Sequence, residues 1–556
     1  MKNLFSILSL LCISVVCSAQ LTYNNPVLSG FYPDPSICRV GNDYYIVNSS
    51  FAYFPGLPIF HSQDLVNWKQ IGHAMDRPEQ LDLKGAGVSR GLFAPTIRHN
   101  KGTYYIICTL IDKGGNFVIT AKDPKGPWSN PAWLKEVNGI DPSLYFDDND
   151  KAYVLFNSIP PNNISLHNGH RTIRMFEFDP VNLKATGEEK LLINGGTDMA
   201  KKPVWIEGPH VFKKDGWYYL ICAEGGTGYN HSEVVFRSKA VDGPYISYEK
   251  NPILTQRHLD TARKNPVTTT GHADIVETPD GKWVAVFLGC RPYEADHYNI
   301  GRETFMAPVK WEEGWPHILE GNEEVKYQYP VPIPSLTKKV NNPFGGNAYF
   351  STEFNEEKLD ARFMFLRTVT EPWYSLTEKK GWLRIGLRKE TCTGKGNPSF
   401  VAFRQQNHSS TVTTSLAFTA GAGNEKAGIV VFQNETHFYY LCKSVNNSRP
   451  VVELYQSAKD SNMTLIASKD IDASVKELSL KIESGNSAYL FYFSRDGKSW
   501  VSMTKEGLDA KFLSTKTAGG FVGVVYALYA TSLGKESDSN AWYNRFAYKG
   551  DDEMFK

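Results

Sequence analysis

The chain has 556 residues, more than one ordinary core accommodates, so at least two domains are expected. With 60 Lys and Arg against 59 Asp and Glu, it carries no charge surplus that would draw it to nucleic acid or an anionic membrane. Aromatic residues at 13%, with 45 glycines and 30 prolines, lean towards β-architecture and exclude coiled coil, collagen and disorder.

Lys2 is followed by an apolar run from Leu4 to Val16 and then by Cys17-Ser18-Ala19, a small-x-small pattern suited to signal peptidase. Residues 1–19 therefore read as a signal peptide cleaved after Ala19, and the mature protein as exported, periplasmic or extracellular. Lipidation of Cys17 is the competing reading, weakened by the bulky Val16 before it. No later stretch of about 18 uninterrupted apolar residues offers a membrane span. The six cysteines beyond the signal have no C-x-x-C spacing, and several lie in apolar runs such as "YYIICTL", so neither a disulfide framework nor a zinc site is expected.

From residue 20 to 330, five segments share one outline: a short apolar strand, a polar turn with Gly or Asp, then an aromatic-rich strand. They start at Asp34, Ala94, Asp141, Glu207 and Gly271, at intervals of 47 to 66 residues. That period suits four-stranded blades, and the later parts of the units ("HSQDLVNWKQIG", "ITAKDPKGPWSNP") read as outer hairpins. The prediction is a five-bladed β-propeller. The Pro- and Gly-rich segment 331–347 reads as a linker. Residues 348–556 alternate apolar and polar again ("WLRIGL", "AGIVVFQ", "LSLKIES"), which predicts a β-sandwich and an all-β fold class overall.

The first strand of each propeller blade lines the central channel, so equivalent positions in the repeats converge although they are far apart in sequence. Aligning the five units nominates Asp34, Ala94, Asp141, Glu207 and His272. Taken singly, an Asp-Pro starts a turn and a Glu before Gly-Pro is a solvated loop residue. Acids at one position in three blades are another matter, since burying like charges costs stability unless a function or a cation offsets it. With no phosphate loop and no nucleophilic Ser or Cys motif, three acids suggest general acid and base catalysis, glycoside hydrolysis foremost. Inversion needs one carboxylate to activate water and one carboxyl to protonate the leaving oxygen, about 6.5–9.5 Å apart. A third acid beside the proton donor raises its pKa. A lectin-like propeller that binds sugar without catalysis is the alternative of another class.

In the motifs "FYPDPS", "SSFAYFPGLPIFHSQDLVNW", "RGLFAP", "GIDPSLYFDD", "WIEGPH", "TGHADIV" and "GRETFMAPVKWEEGWP", the sequence resembles glycoside hydrolase family 43. The resemblance implies inverting, exo-acting removal of terminal α-L-arabinofuranosyl or β-D-xylosyl units from a hemicellulose-derived oligosaccharide. It implies Asp34 as general base, Glu207 as general acid and Asp141 as the residue that orients the acid and tunes its pKa. It also implies that Arg302 contacts substrate and that Phe51 and Phe93 wall the terminal-sugar pocket. His272 resembles a channel histidine that faces Ca2+ through water; a histidine simply hydrogen-bonded in the channel is the other reading. The C-terminal part, with "FLRTVTEPWYSLTEKKGWLRI" and "PSFVAFRQQ", resembles a concanavalin-like sandwich (jelly roll) that walls off the pocket. Phe521 is expected in a core strand of that sandwich, with entry into the pocket as the rival placement.

Overall fold

The structure is a computed structural model that describes residues 20–458, 462–485 and 487–556. The signal-peptide reading and Cys17 lie outside the described residues. The chain is nearly all strand; the one α-helix among the described residues is the single turn Thr515–Ala518. No described helix is long and apolar enough to cross a membrane. All six described cysteines are buried and unpaired.

Five antiparallel sheets follow one another as blades, each of four strands except the fourth, where Leu254–Thr255 adds a fifth strand to Ser232–Ser238. Their inner strands are Ser36–Val40, Thr96–Asn100, Ile140–Phe146, Glu207–Lys214 and Thr268–Glu277. Second strands such as Ala152–Ser158 and Trp283–Cys290 are buried along their whole length, because neighbouring blades cover both faces. The outer hairpin of blade one turns on Asp64, whose Oδ1 accepts from the backbone N–H of Val66 and Asn67 at 3.1 and 2.8 Å. The buried Trp68 then donates its indole N–H to the Leu65 carbonyl. This is the Asp-before-aromatic pattern of the sequence, with an Asx turn as its physical basis. Asp274 of blade five closes the ring onto blade one by accepting from Ser36 Oγ and the Ile37 N–H. Strand Thr22–Asn24 pairs with Gln328–Pro330 beside that seam.

In blades three, four and five the inner strand carries one extra residue near its start, a β-bulge. In blade three, Ile140 pairs with Asn157 and Ser143 with Leu155; Glu207 and His210 pair likewise with Ala223 and Ile221, and Gly271 and Asp274 with Leu288 and Val286. Asp141, Gly208 and His272 hold the same place in their bulges, with φ of +51°, +56° and +51°, and Asp34, two residues before the strand Ser36–Val40, has the matching φ of +52°. Left-handed backbone at a bulge turns a side chain that would follow the sheet into the channel. The repeat alignment is thereby corrected at one point: Gly208, not Glu207, is the equivalent of Asp34 and Asp141, and Glu207 precedes the bulge residue by one.

Segment 331–347 contains no strand and lies against the propeller, with the Phe344 ring 5.1 Å from that of Phe60. Two sheets follow. One, of nine strands, centres on Asn540–Gly550 and Ser410–Ala417, and the burial of Val412, Thr414 and Leu416 shows the alternation of a sheet with one covered face. The other has eight strands, and its edge strand comes from the propeller: Phe54 and Tyr53 pair with Phe365 and Leu366. One apolar core accordingly runs from Val47, Ile59 and Ile106 of the blades into Phe365, Val401 and Phe403 of the sandwich. Buried Arg404 reinforces the join by donating Nε to the Phe31 carbonyl at 2.9 Å.

Candidate active site

The channel opens into a cavity of about 620 Å³ lined by Asp34, Asp141, Glu207, His272, Arg302, Phe51 and Phe93. Ala94 lines it as well, so all eight of these positions nominated from sequence share one pocket. Two rows supply the wall nearest the axis: Asp34, Ala94, Asp141 and His272, each two residues before an equivalent inner-strand position, and the residues one place earlier, Phe93, Ile140 and Glu207. The offset of Glu207 therefore moves it along the wall without removing it from the cavity.

Asp34 is 5% exposed. Its Oδ2 accepts from Ser49 Oγ at 2.5 Å and its Oδ1 from Arg302 Nη1 at 2.7 Å. Burial alone would raise its pKa, but the charge of Arg302, then His272, the Ser49 hydroxyl and His231 outweigh it, and the carboxyl is held below the usual range. Glu207 behaves oppositely. Burial and then the charge on Asp34 push it up to about 7, against the indole of Trp205, Arg302 and the Thr227 hydroxyl 3.5 Å away. Burial, Glu207 and Asp34 also raise Asp141 well above an ordinary carboxylate. Asp141 and Glu207 titrate as a pair, and with Asp34 ionised beside them that pair retains a proton at neutral pH. One oxygen or nitrogen from each of Asp141, Glu207 and His272 lies within 4.8 Å of the others.

His272 Nδ1 is 3.8 Å from Asp34 Oδ1. Burial depresses its pKa despite Asp34, which leaves a neutral ring. The ring fits because Gly208 has no side chain: a Cβ there would stand 2.8 Å from His272 Nε2.

Phe51, Phe93 and Phe521 form an apolar corner, with ring centroids 5.7 to 6.2 Å apart. The Arg302 guanidinium lies 5.8 Å over Phe51 and 5.5 Å over Phe521. Phe521 corrects a sequence expectation. It lies not in a core strand but in the loop before Val525–Thr531, tied to the propeller by its N–H to Ser89 Oγ at 2.9 Å. Among the described residues it is the one that the sandwich contributes to the cavity lining.

Sequence reasoning missed Trp205 and Arg171, which line the opposite side with the guanidinium 3.9 Å over the indole. Their signal was available: an aromatic two residues before the acid in "WIEGPH" is a natural sugar platform. Arg90, which lines the cavity near Phe93, was also missed.

Comparison with known proteins agrees with this geometry. The family described as "Glycosyl hydrolases family 43" matches residues 23–316, and "Beta xylosidase C-terminal Concanavalin A-like domain" matches residues 351–549. The chain is 39% identical over 527 residues to a "Xylosidase/arabinosidase" from Butyrivibrio fibrisolvens, covering 94% of this chain and 98% of that protein. It is 36% identical over 568 residues to a "Non-reducing end alpha-L-arabinofuranosidase" from Bacteroides ovatus, covering 99% of each. A solved structure titled "Bacteroides ovatus Xyloglucan PUL GH43B" superposes with a TM-score of 0.85 at 35% identity, covering 96% of this chain and 100% of that one.

Proposed function

This chain belongs to glycoside hydrolase family 43, and from that premise we propose that its preferred reaction is release of a single non-reducing terminal α-L-arabinofuranosyl unit from a hemicellulose-derived oligosaccharide. It is an inverting glycosidase. β-D-Xylose is the second sugar, favoured by the relative whose name joins xylosidase to arabinosidase. The observation that carries the reading is the convergence of Asp34, Asp141 and Glu207 on a cavity that Phe521 of the second domain helps to wall. A pocket bounded in this way takes a chain end rather than a continuous polymer.

In the proposed chemistry Asp34, held ionised by Arg302 and Ser49, removes a proton from water as the water attacks the anomeric carbon. Glu207, or the Glu207–Asp141 pair acting together, delivers its retained proton to the departing glycosidic oxygen. Atoms balance: one C–O bond breaks, one forms, and the anomeric configuration inverts. The Arg302 Nε, buried without a protein partner, is a donor for a sugar hydroxyl. The apolar corner of Phe51, Phe93 and Phe521 supports packing of a sugar's apolar face. Export to the periplasm or beyond, which the N-terminal apolar run supports, suits a polymeric substrate outside the cell.

Incubation with nitrophenyl α-L-arabinofuranoside and nitrophenyl β-D-xyloside, with product anomers followed by proton NMR, tests both points. The arabinoside should turn over faster and release the β-anomer first. A retained anomer would overturn the water-activating role of Asp34, and a faster xyloside would reverse the sugar preference.

A further inference from the structure

Below the catalytic layer each blade supplies one residue to a second ring of equivalent inner-strand positions: Ser36, Thr96, Ser143, His210 and Asp274, two residues past Asp34, Ala94, Asp141, Gly208 and His272. Arg98 of blade two reaches into this ring. Its Nη1 donates to Asp274 Oδ2 and to the Ile97 carbonyl at 2.8 Å, to Ser36 Oγ at 3.1 Å and to the Ile37 carbonyl at 3.3 Å. Its Nη2 lies 3.2 Å from Asp274 Oδ1 and 3.1 Å from His210 Nδ1. Burial keeps His210 neutral, able to accept. We propose that the Arg98 guanidinium is the resident cation of the propeller channel and that this enzyme works without the calcium ion that the family resemblance implies.

Calcium needs about six to eight oxygen ligands. Asp274 is the one carboxylate in the ring, and both its oxygens are committed to Arg98. The nearby oxygens of Ser36, Ile37 and Ile97 also accept from the guanidinium, so they are not free to coordinate an ion beside Asp274. A divalent ion added here would confront a fixed positive charge in a poorly screened site. The remaining cluster, Asp141, Glu207 and His272, faces the sugar cavity and offers one oxygen or nitrogen from each of three residues, short of the roughly six to eight oxygens calcium takes. The channel residues therefore do not fit calcium. Arg98 is a positioning residue: through Asp274 it fixes the strand that carries His272 two residues earlier, 3.8 Å from Asp34.

The test begins with the full-length enzyme and requires no assumption about the sugar. Mass-spectrometric metal analysis should find substoichiometric calcium, and melting temperature should be the same in EDTA and in calcium chloride. One bound calcium per chain, or a melting temperature lowered by EDTA and restored by calcium, overturns the proposal. Arg98→Ala opens a guanidinium-sized space beside Asp274 and should lower turnover on the order of 10²-fold, with partial recovery in dilute guanidinium or methylguanidinium chloride. Turnover equal to the unaltered enzyme, or a loss that neither guanidinium salt relieves in a folded variant, counts against the assignment. If Arg98→Ala does not fold, the metal analysis and EDTA melt of the unaltered protein still decide the question.

Discussion

Arg302 Nη1 donates to Asp34 Oδ1 across 2.7 Å, and the two side chains are only 8% and 6% exposed. Arg302 is the foremost group opposing the effect of burial on Asp34. Replacing it with Met should therefore raise the pKa of Asp34 and move the acidic limb of the kcat/KM profile upward by about one pH unit or more. Arg302→Lys should keep most of the charge and so most of the limb's position, yet still lose kcat/KM because it cannot fork between Asp34 and a sugar hydroxyl. An acidic limb unmoved in Arg302→Met would separate this arginine from the base.

Asp34→Ala and Glu207→Ala should each lower kcat by about 10²- to 10⁴-fold with folding intact. The two should differ in their dependence on the leaving group. A nitrophenolate departs with little protonation, so aryl glycosides should partly restore Glu207→Ala but leave Asp34→Ala inactive. Circular dichroism and kinetics on aryl and alkyl glycosides check this, and equal losses on both substrate types for Glu207→Ala would remove it from the acid role.

Since burial and Asp34 raise Glu207 to about 7, the basic limb of kcat/KM should fall near that pH. The same shift has a consequence for stability. A carboxyl with a raised pKa binds its proton more tightly in the folded chain, so its contribution is most favourable below the ordinary value of 4.5 and is lost as pH rises towards 7. Glu207→Gln, inactive as an acid, should thus stabilise the fold at pH above 7 by up to about 3 kcal/mol and confer no gain at acidic pH. Denaturant melts on both sides of the shift measure the difference, and a stabilisation independent of pH would contradict it.

The acids were legible in sequence because propeller repeats preserve their register in the chain: Asp34, Asp141 and His272 each stand two residues before the resumption of strand pairing. Glu207 was found for a partly wrong reason. Its blade places Gly208 in the bulge, and only the pairing of Glu207 with Ala223 reveals the one-residue offset. Phe521 was misread because "GGFVGVVYALYA" resembles the start of a strand, whereas the strand begins at Val525 and the preceding loop is set by a contact with Ser89, 432 positions away. Arg98 lies in the second repeat and was missed from sequence. A charged residue on an inner strand of a propeller was the available signal, but its partners Asp274 and His210 come from other blades, and sequence alone does not pair them.

Besides the Ser89 contact, a tight approach between glycines holds the sandwich loop against the propeller beside the pocket. A Cβ on Gly523 would stand 2.0 Å from the Ile300 carbonyl oxygen, and one on Gly301 would stand 2.8 Å from the Gly523 nitrogen. Gly523 is not in the left-handed region, so Gly523→Ala introduces a clash without backbone strain of its own. The clash should push the loop away from the propeller and carry Phe521, two residues earlier, out of its stack with Phe51. Overpacking of this kind typically costs about 1–3 kcal/mol, so a lower melting temperature is expected alongside a higher KM. Phe521→Ala isolates the second effect, raising KM roughly 3- to 10-fold from loss of ring contact while kcat changes less. If both substitutions left KM unchanged, the cavity wall contributed by the second domain would have no part in holding the sugar, and exo-selectivity would have to come from the propeller loops alone.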